Sequence, residues 1–519
     1  MYCPSRHLVS GLVYRGRTEP LSKVPRSETP LLRGALTIAA MTLGGCSPIR
    51  VPPPASAAPA AIGSTITRDD ARADIDVLMH TLEDVHPNLY ASRPRDSVSL
   101  ARERLIAALP ASLSRSEFWV RLAPFVAAFG DGHTNVPMPR EEARRLQAAG
   151  ALVFPPSIVI NDAGHVVVSV PIVRDGDIVP GDRLLSLNGL SIDSLMRAWM
   201  LEQSGESERF RAANVTNAFR DLLLLHALGA PYRIVTQRAE QTRMIELAGI
   251  SQDSLRAVAA RVNSQRTAAP NFTYELLPSR VAYMNFSSMG GDIGRFKTDV
   301  AAMFRRVAAD SARVLIVDLR GNGGGDSRLG EEFLRFITTK PYRMSAAKDW
   351  KMSAEYRSYF KSWVHPAIRW THGWQFFSIG RQLMNGPDGQ IVTLPETPEA
   401  HSPAEPFFSR LACVLIGPQT FSSAVDLADA IKTYHLATLV GEETGGRPNG
   451  FGEAYIFRLP HSQLAVSVSS ALFIRASGDT TDHRGVLPDF PATRTAEDRG
   501  AGRDPAVDRC RALGETANP

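Results

Sequence analysis

The 519-residue sequence contains only four cysteines, Cys3, Cys46, Cys413 and Cys510. Cys413 lies in the apolar run LACVLI, where a free cysteine usually behaves as a small buried hydrophobe. This scarcity of cysteine excludes a fold that is held together by a framework of disulfides.

The net positive charge is also small outside the N-terminal segment. The formal net charge is +5, and residues 1–46 contain six basic and two acidic side chains, which gives +4 there and leaves +1 for the rest. No basic stripe interleaved with aromatic residues remains, so the electrostatic footprint of a nucleic-acid-binding protein is missing. The length and the ordinary composition predict two or three packed domains.

Several chemical motifs are absent from the sequence. It has no His, Cys and acidic cluster with metal-ligand spacing, no Walker-type loop and no Gly-x-Ser-x-Gly elbow. The glycine run at 321–325 has Asp326 where a dinucleotide fingerprint needs its third glycine. These absences favour a hydrolase that uses no cofactor and no metal.

The first 46 residues are typical of an export signal. A short apolar stretch, GALTIAAMTLGGC, follows Arg33 and is too short to span a bilayer. Its end, Leu43–Cys46, resembles the lipobox of bacterial lipoproteins, which implies that Cys46 carries acyl chains and is the protein's only membrane anchor. The resemblance predicts an exported, periplasm-facing lipoprotein of the cell envelope of a bacterium.

Hydrophobic periodicity divides the remaining chain. Helical spacing begins near Thr67, short strand runs with turn signals fill 150–250, and strands alternate with helices from Val281 onward, which argues for a parallel or mixed sheet covered on both faces. The predicted segments are a signal peptide with lipobox (1–46), a Pro/Ala-rich linker (47–66), an N-terminal helical domain (67–140), a β domain (141–260), an α/β core (270–490) with a cap insertion (340–408), and a loose C-terminal tail (491–519).

Within the β domain, the stretch IVPGDRLLSLNGLSI (178–192) resembles PDZ domains, which bind extended peptides by adding a strand to a sheet edge. Another small β barrel could contain the same string. Residues 195–228 are predicted to form a helical insertion in this domain. The expected fold is therefore α/β, with a mixed sheet flanked by helices, an N-terminal helical domain and an inserted PDZ-like domain.

Two adjacent serines stand out in GPQTFSSAVDLADAIKTYH (417–435). The apolar spacing after them predicts a helix from about Ser423, and Ser423 with Asp426 fits a capping-box-like pair. Ser422 then has no structural role, and its hydroxyl precedes a helix N-terminus, where unpaired N–H groups favour a developing oxyanion. The alternative is that both serines serve only as cap and turn.

An ordered set of motifs resembles peptidase family S41, which includes the tail-specific or C-terminal processing proteases and the tricorn core. The motifs are HPNLY (86–90), FGDGHT (129–134), LIVDLRGNGGG (315–325), TFSSAVDLADAIK (420–432), VGEETGGRPNGFGE (440–453) and RGVLPDF (484–490). The resemblance implies a ClpP/crotonase-like core, serine-type hydrolysis of a polypeptide substrate, and Ser422 as the nucleophile.

The base is not the lysine of the processing proteases, because the matching position holds Arg447, which stays protonated. Resemblance to the tricorn-like members puts His133 in that role, since histidine titrates near neutral pH. The same resemblance puts Asp482 in place of the glutamate that orients the histidine, with one methylene less reach. His483 beside it is a rival for the base.

For the oxyanion, the resemblance implies the backbone amides of Gly324 and Ser423, while Asp318 and Arg320 fix the glycine loop. These features together predict an exported serine endopeptidase that cleaves extended or unfolded polypeptides. Two alternatives stay open: a catalytically inactive protein that binds peptide or an apolar ligand on the same fold, and a hydrolase or transferase of another acyl bond.

Overall fold

The computed structural model of the chain describes residues 63–161, 163–170, 177–262, 272–363 and 378–517. The predicted signal peptide, the lipobox and most of the linker lie outside these ranges, as do Trp370 and Trp374 of the predicted cap. Among the helices in these ranges, none is long and apolar enough to cross a membrane.

Helices and strands follow one another along the whole described chain. The strands are β1 (Thr65–Thr67), β2 (Ser112–Ser114), β3 (Ser157–Ile160), β4 (Val166–Val170), β5 (Arg183–Leu187), β6 (Leu190–Ser191), β7 (Tyr232–Arg238), β8 (Gln241–Leu247), β9 (Phe272–Leu277), β10 (Val281–Phe286), β11 (Val314–Asp318), β12 (Ala347–Lys351), β13 (Ile391–Pro395), β14 (Leu411–Ile416), β15 (Thr438–Gly441), β16 (Phe451–Arg458), β17 (Ala465–Ile474) and β18 (Phe490–Pro491). The helices are α1 (Arg68–Val85), α2 (Arg95–Ala107), α3 (Arg115–Ala127), α4 (Arg140–Ala148), α5 (Ile192–Met200), α6 (Glu208–Leu225), α7 (Gln252–Val262), α8 (Ile293–Ala309), α9 (Ser327–Leu334), α10 (Ala354–Trp363), α11 (Ser378–Asn385), α12 (Ser423–Tyr434), α13 (Ala496–Gly500) and α14 (Pro505–Ala517).

The central sheet has the strand order β18-β15-β14-β11-β10-β9. Neighbouring strands are parallel except β9, which runs antiparallel to β10. The carboxyl ends of the neighbours β11 and β14 therefore lie at the same edge, so the glycine loop after Asp318 and the serine loop after Ile416 meet there. Ligands of open α/β sheets bind at such an edge.

Both faces of the central sheet are covered by helices. Helices α8, α9 and α12 pack on one face, where Phe304, Phe333 and Leu427 are buried. The other face is covered by α14, whose Val507 and Cys510 pack against β11 and β14. The prediction of a mixed sheet flanked by helices is confirmed.

The prediction of a loose tail after residue 490 is wrong. Residues of α14 belong to the core, and Gly514 lies so close to β11 that an added Cβ would come within 2.1 Å of the Val314 side chain. Asp504, just before α14, binds the Arg320 guanidinium at 2.8 Å. The sequence looks polar there because only the one face of the helix that carries Val507 and Cys510 is apolar.

A second, antiparallel sheet has the order β13-β12-β17-β16. Strands β12 and β13 come from the predicted cap insertion. They pair with each other, and β12 also pairs with β17, which makes this part of the insertion an integral layer, with Trp350 buried. A short bridge joins this sheet to the FGDGHT segment, since Asn135 and Ser467 exchange two backbone hydrogen bonds of 2.9 Å.

The N-terminal region is helical, as its periodicity predicts. The first helix begins after Thr67, whose hydroxyl accepts the Asp70 N–H while the Asp70 side chain accepts from the Thr67 N–H, a reciprocal pair that satisfies two otherwise free groups. Ser114 and Glu117 form the same arrangement at the start of α3. This helical layer carries His86 and leads into the loop of His133.

The β domain is a separate antiparallel sheet with the order β3-β4-β5-β7-β8, and β6 pairs with β5. The predicted helical insertion corresponds to α5 and α6. An ion pair between Arg238 and the buried Asp182, 2.7 Å long, fixes the turn that precedes β5. The likeness of this sheet to a PDZ domain stays a prediction.

Candidate active site

Ser422 occupies a strained backbone position between the serine loop and α12. Its φ of 55° and ψ of −134° lie outside the regions that non-glycine residues normally adopt. Such a conformation costs about 1–3 kcal/mol and persists only where the surroundings enforce it. Thr420 does so from one side, because its hydroxyl donates to the Leu319 carbonyl and accepts the Gly417 N–H.

The Ser422 hydroxyl is paired with a histidine from the other end of the chain. Its Oγ lies 2.9 Å from Nε2 of His133, and the two residues are 289 positions apart. The imidazole stacks on Phe421 with ring centroids 4.7 Å apart. Gly132 makes this approach possible, since a Cβ there would come within 2.6 Å of the Phe421 ring.

Asp131 organises the loop beneath this histidine. One carboxylate oxygen accepts the His133 N–H at 2.9 Å, and the other accepts the Ser469 hydroxyl at 2.6 Å and lies 3.2 Å from His86 Nε2. His86 Nδ1 accepts the Asn88 N–H, so the proton of this imidazole is on Nε2 and is donated to Asp131. Burial would raise the pKa of Asp131, but these hydrogen bonds and the nearby histidine charges hold it well below its usual range.

A second carboxylate, Glu206, lies on the other side of the histidine. One oxygen accepts the Gly132 N–H at 3.2 Å, while the other is buried and has no hydrogen-bond partner among the described residues. The Nδ1 of His133 is also buried and makes no hydrogen bond of normal geometry among the described residues, although the Phe451 backbone lies near enough to oppose the lowering of the His133 pKa. Polar atoms of Asp131, His133 and Glu206 lie within 4.8 Å of one another.

These three residues have the donor types that a divalent cation binds. Both oxygens of Asp131 already accept hydrogen bonds, however, so the cluster is better described as a charge network around one imidazole. Burial lowers the pKa of His133, against the opposing charge of Asp131. Burial raises the pKa of Glu206 to about 7, and the charge of Asp131 adds to the shift.

The two amides predicted to hold an oxyanion differ in their availability. Ser423 is the first residue of α12, so its N–H has no acceptor within the helix. The Gly324 N–H instead donates to the Asn322 side-chain oxygen at 2.8 Å in this structure, and its role at the oxyanion stays a prediction. Asn322 is itself fixed, because its amide donates to the Phe286 carbonyl.

Ser423 does not cap the helix. Its hydroxyl donates to the Gly325 carbonyl at 2.7 Å, which ties the serine loop to the glycine loop. The side chain of Asp426 faces the cleft beside Ser422 rather than the helix end. The capping-box prediction is therefore wrong, because a contact across 98 residues replaced the local one.

Position 324 requires glycine because the chain there has a positive φ and leaves no room for a side chain. At φ of 90°, a Cβ would come within 2.8 Å of both the Ser422 side chain and the Ser423 nitrogen. We expect Gly324→Ala to lower kcat/KM for peptide cleavage at least about 100-fold, since a misplacement of 1 Å costs that much. Steady-state kinetics checks this. Gly323→Ala is the matched control, because a Cβ at that glycine meets nothing within 4 Å and its φ is not in the left-handed region.

The structure does not bring Asp482 to His133. Its carboxylate binds Arg475 at 2.8 Å and Arg484 at 3.1 Å, and the Arg484 hydrogen bonds hold its pKa well below the usual range. His483 is exposed, and the hydrogen bond to Ser422 comes from His133. Arg447 lines the cleft and donates to the Glu206 carbonyl at 3.0 Å.

Sequence reasoning missed three groups of this network: His86, Asp131 and Glu206. His86 and Asp131 lie inside the quoted HPNLY and FGDGHT motifs, so their presence in ordered motifs was a usable signal. Glu206 lies in a stretch assigned to a helical insertion in another domain, and nothing in its local sequence distinguishes it.

A cleft opens beside the paired serine and histidine. Its lining comes from the serine loop, the start of α12, the segment after β15 and the strands β16 and β17. The lining residues are His133, Glu206, Phe421, Ser422, Asp426, Gly446, Arg447, Pro448, Gly450, Phe451, Gly452 and Phe473.

Comparison with known proteins agrees with this architecture. Residues 280–492 match the model of peptidase family S41. The structure of mature CPAF complexed with lactacystin superimposes with a TM-score of 0.60 at 15% identity over 86% of this chain and 98% of that one. The photosystem II D1 C-terminal processing protease gives a TM-score of 0.37 at 15% identity over 81% and 92%. No curated protein matches the chain by sequence.

The likeness to CPAF shows the fold, and the family match supplies the class, which is that of serine-type peptidases. The similarity to peptidase family S41 spans residues 280–492, the C-terminal part of the chain. The paired Ser422 belongs to this matched region, whereas His133 and Glu206 come from the chain before it.

Proposed function

We propose that the protein is an exported serine endopeptidase that cleaves extended or unfolded polypeptides with Ser422 as the nucleophile and His133 as the general base. The observation that carries this proposal is the 2.9 Å contact between Ser422 Oγ and His133 Nε2. A serine hydroxyl is a weak nucleophile at neutral pH and needs such a neighbouring base.

In the first step, Ser422 Oγ attacks the peptide carbonyl and its proton passes to His133 Nε2. The negative charge that develops on the carbonyl oxygen is stabilised by the Ser423 N–H and by the N-terminal end of α12. The imidazolium then gives the proton to the leaving amine. Water, activated by the same Nε2, hydrolyses the acyl-enzyme in the second half of the reaction.

The imidazolium formed in this step carries a proton on Nδ1, which needs an acceptor. We assign this acceptor to Glu206 rather than to Asp482, because Glu206 has a buried, unpartnered oxygen and Asp482 is held by two arginines. Asp131 positions the histidine from below through its backbone N–H.

The test uses a fluorophosphonate, which reacts with activated serines. We expect stoichiometric labelling of Ser422, located by mass spectrometry, and no labelling of Ser422→Ala. A protein that degrades unfolded polypeptide but is labelled elsewhere would contradict the assignment. A protein that neither cleaves nor is labelled would favour the inactive ligand-binding alternative, and one that turns over esters but not peptides would favour the other acyl bond.

The pH dependence of kcat/KM should reflect the ionisation of the Glu206 carboxyl group. Its pKa of about 7 means that its carboxylate is charged only above that pH, and the charged form is the one that accepts the Nδ1 proton. His133 must be neutral, and because burial lowers its pKa, it loses its proton at a lower pH than an ordinary histidine. We therefore expect kcat/KM to rise through an apparent pKa of about 7, and Glu206→Gln to move the remaining acidic limb to lower pH.

A further inference from the structure

The inner end of the cleft combines aromatic walls with acidic side chains. Phe421, Phe451 and Phe473 line it, and Asp426, one turn into α12 from Ser422, faces the same space. The Asp426 N–H donates to the Ser422 carbonyl, which fixes the spacing between the nucleophile and this carboxylate. Any side chain that enters here belongs to a residue next to the bond under attack.

Asp426, and Glu453 next to the lining residue Gly452, have no directly bonded cation. Both are partly buried, neither side chain has a hydrogen bond or an ion pair within the described residues, and the charge of Lys348 acts on both without such a contact. Glu453 also has a φ of 56°, a backbone conformation that is uncommon outside glycine and that clusters at functional sites. A partly buried carboxylate without a hydrogen-bond or ion-pair partner lowers the stability of the fold, which points to a functional role for these acids.

Acids outnumber bases around this space. Burial raises the pKa of Asp426 to about 8 and that of Glu331 to about 7, and the charges of Glu396 and Glu453 add to the effect on Asp426. Lys348 opposes both shifts, and its ammonium lies 3.3 Å from Glu396 and 5.2 Å from the centre of the Phe473 ring, while Arg328 also opposes the shift of Glu331. One lysine therefore serves several carboxylates.

A positively charged side chain of the substrate would balance the acidic residues at the inner end of the cleft. The aromatic walls suit the methylene stem of a long side chain, and the acidic end suits its charged head. Ring faces such as that of Phe473 also attract cations. Arg447, the arginine of the cleft lining, is exposed and donates to the Glu206 carbonyl.

We infer that the inner cleft, with Asp426 in its wall, is a specificity pocket for the side chain of a lysine or arginine next to the scissile bond. This inference rests on the proposed function and adds a substrate class to it. The enzyme would cut unfolded chains preferentially beside basic residues.

The first test profiles cleavage sites in an unfolded protein digest by mass spectrometry, together with kcat/KM for a matched pair of peptides that carry lysine or leucine at that position. We expect enrichment of Lys and Arg at one side of the cut. The Lys/Leu ratio of kcat/KM should fall roughly 10- to 100-fold in Asp426→Asn, the range for one charge-assisted hydrogen bond. Asp299→Asn on the exposed face of α8 controls for the change in net charge.

A second measurement needs no folded variant. Butylguanidinium should inhibit cleavage of the leucine peptide by the wild-type protein, while the uncharged butylurea should not. Cleavage without any preference for basic residues, and equal inhibition by the two compounds, would overturn the inference and leave the peptidase proposal intact. Absence of both cleavage and fluorophosphonate labelling would overturn the peptidase proposal itself.

Discussion

Replacement of Ser422 by alanine should lower kcat/KM for polypeptide cleavage by about 10⁴-fold or more, which corresponds to roughly 5 kcal/mol of transition-state stabilisation. The reason is that Ser422 Oγ forms the covalent bond, so no neighbouring group replaces it. Cleavage of a quenched fluorescent unfolded protein measures the effect. Ser477→Ala, at an exposed serine, serves as the matched control.

His133→Ala should have an effect of similar size, because the base and the nucleophile act as one unit. The double variant should then be no slower than either single variant. Additive losses in the double variant would show that the 2.9 Å contact between the two side chains is not the catalytic one. Circular dichroism of each variant establishes that the fold is retained.

The second large effect should come from the acid that faces the histidine. Glu206→Gln is expected to lower kcat about 10²- to 10³-fold with little change in KM, because it removes charge that stabilises the imidazolium only in the transition state. Asp482→Asn should change kcat less than about threefold, since that carboxylate serves the surface ion pairs with Arg475 and Arg484.

This pair of variants decides between two orienting acids. If Asp482→Asn removed most of the activity and Glu206→Gln did not, the assignment from the family pattern would be right and the one from this geometry wrong. Thermal unfolding of both variants separates a loss of activity from a loss of fold.

Local sequence predicted most of the secondary structure around the site, because periodicity reports which face of an element is buried. The strands β10, β11 and β14 and the helix after Ser422 lie where their apolar patterns predicted them. The boundary at Ser422 followed from spacing alone. The strain at this residue did not, since a positive φ is enforced by Thr420 and by neighbours far away in the sequence.

The partners of charged side chains were harder to predict, for a physical reason. Arg484 lies two residues from Asp482 and Arg475 seven residues from it in the sequence. The Asp482 carboxylate pairs with these two arginines instead of with the histidine. The Ser423 hydroxyl similarly donates to the Gly325 carbonyl instead of capping the helix. Glu206 acquired its role because the loop before α6 packs beside the FGDGHT segment, a proximity that no local pattern encodes.

The C-terminal helix α14 has a consequence for the time at which the enzyme becomes competent. Arg320, at the entry to the glycine loop, depends on Asp504 for one of its two carboxylate partners, and α14 closes the sheet face below it. Asp504 lies 184 residues after Arg320 in the chain. The glycine loop therefore receives its full support only once the last helix has packed on the sheet.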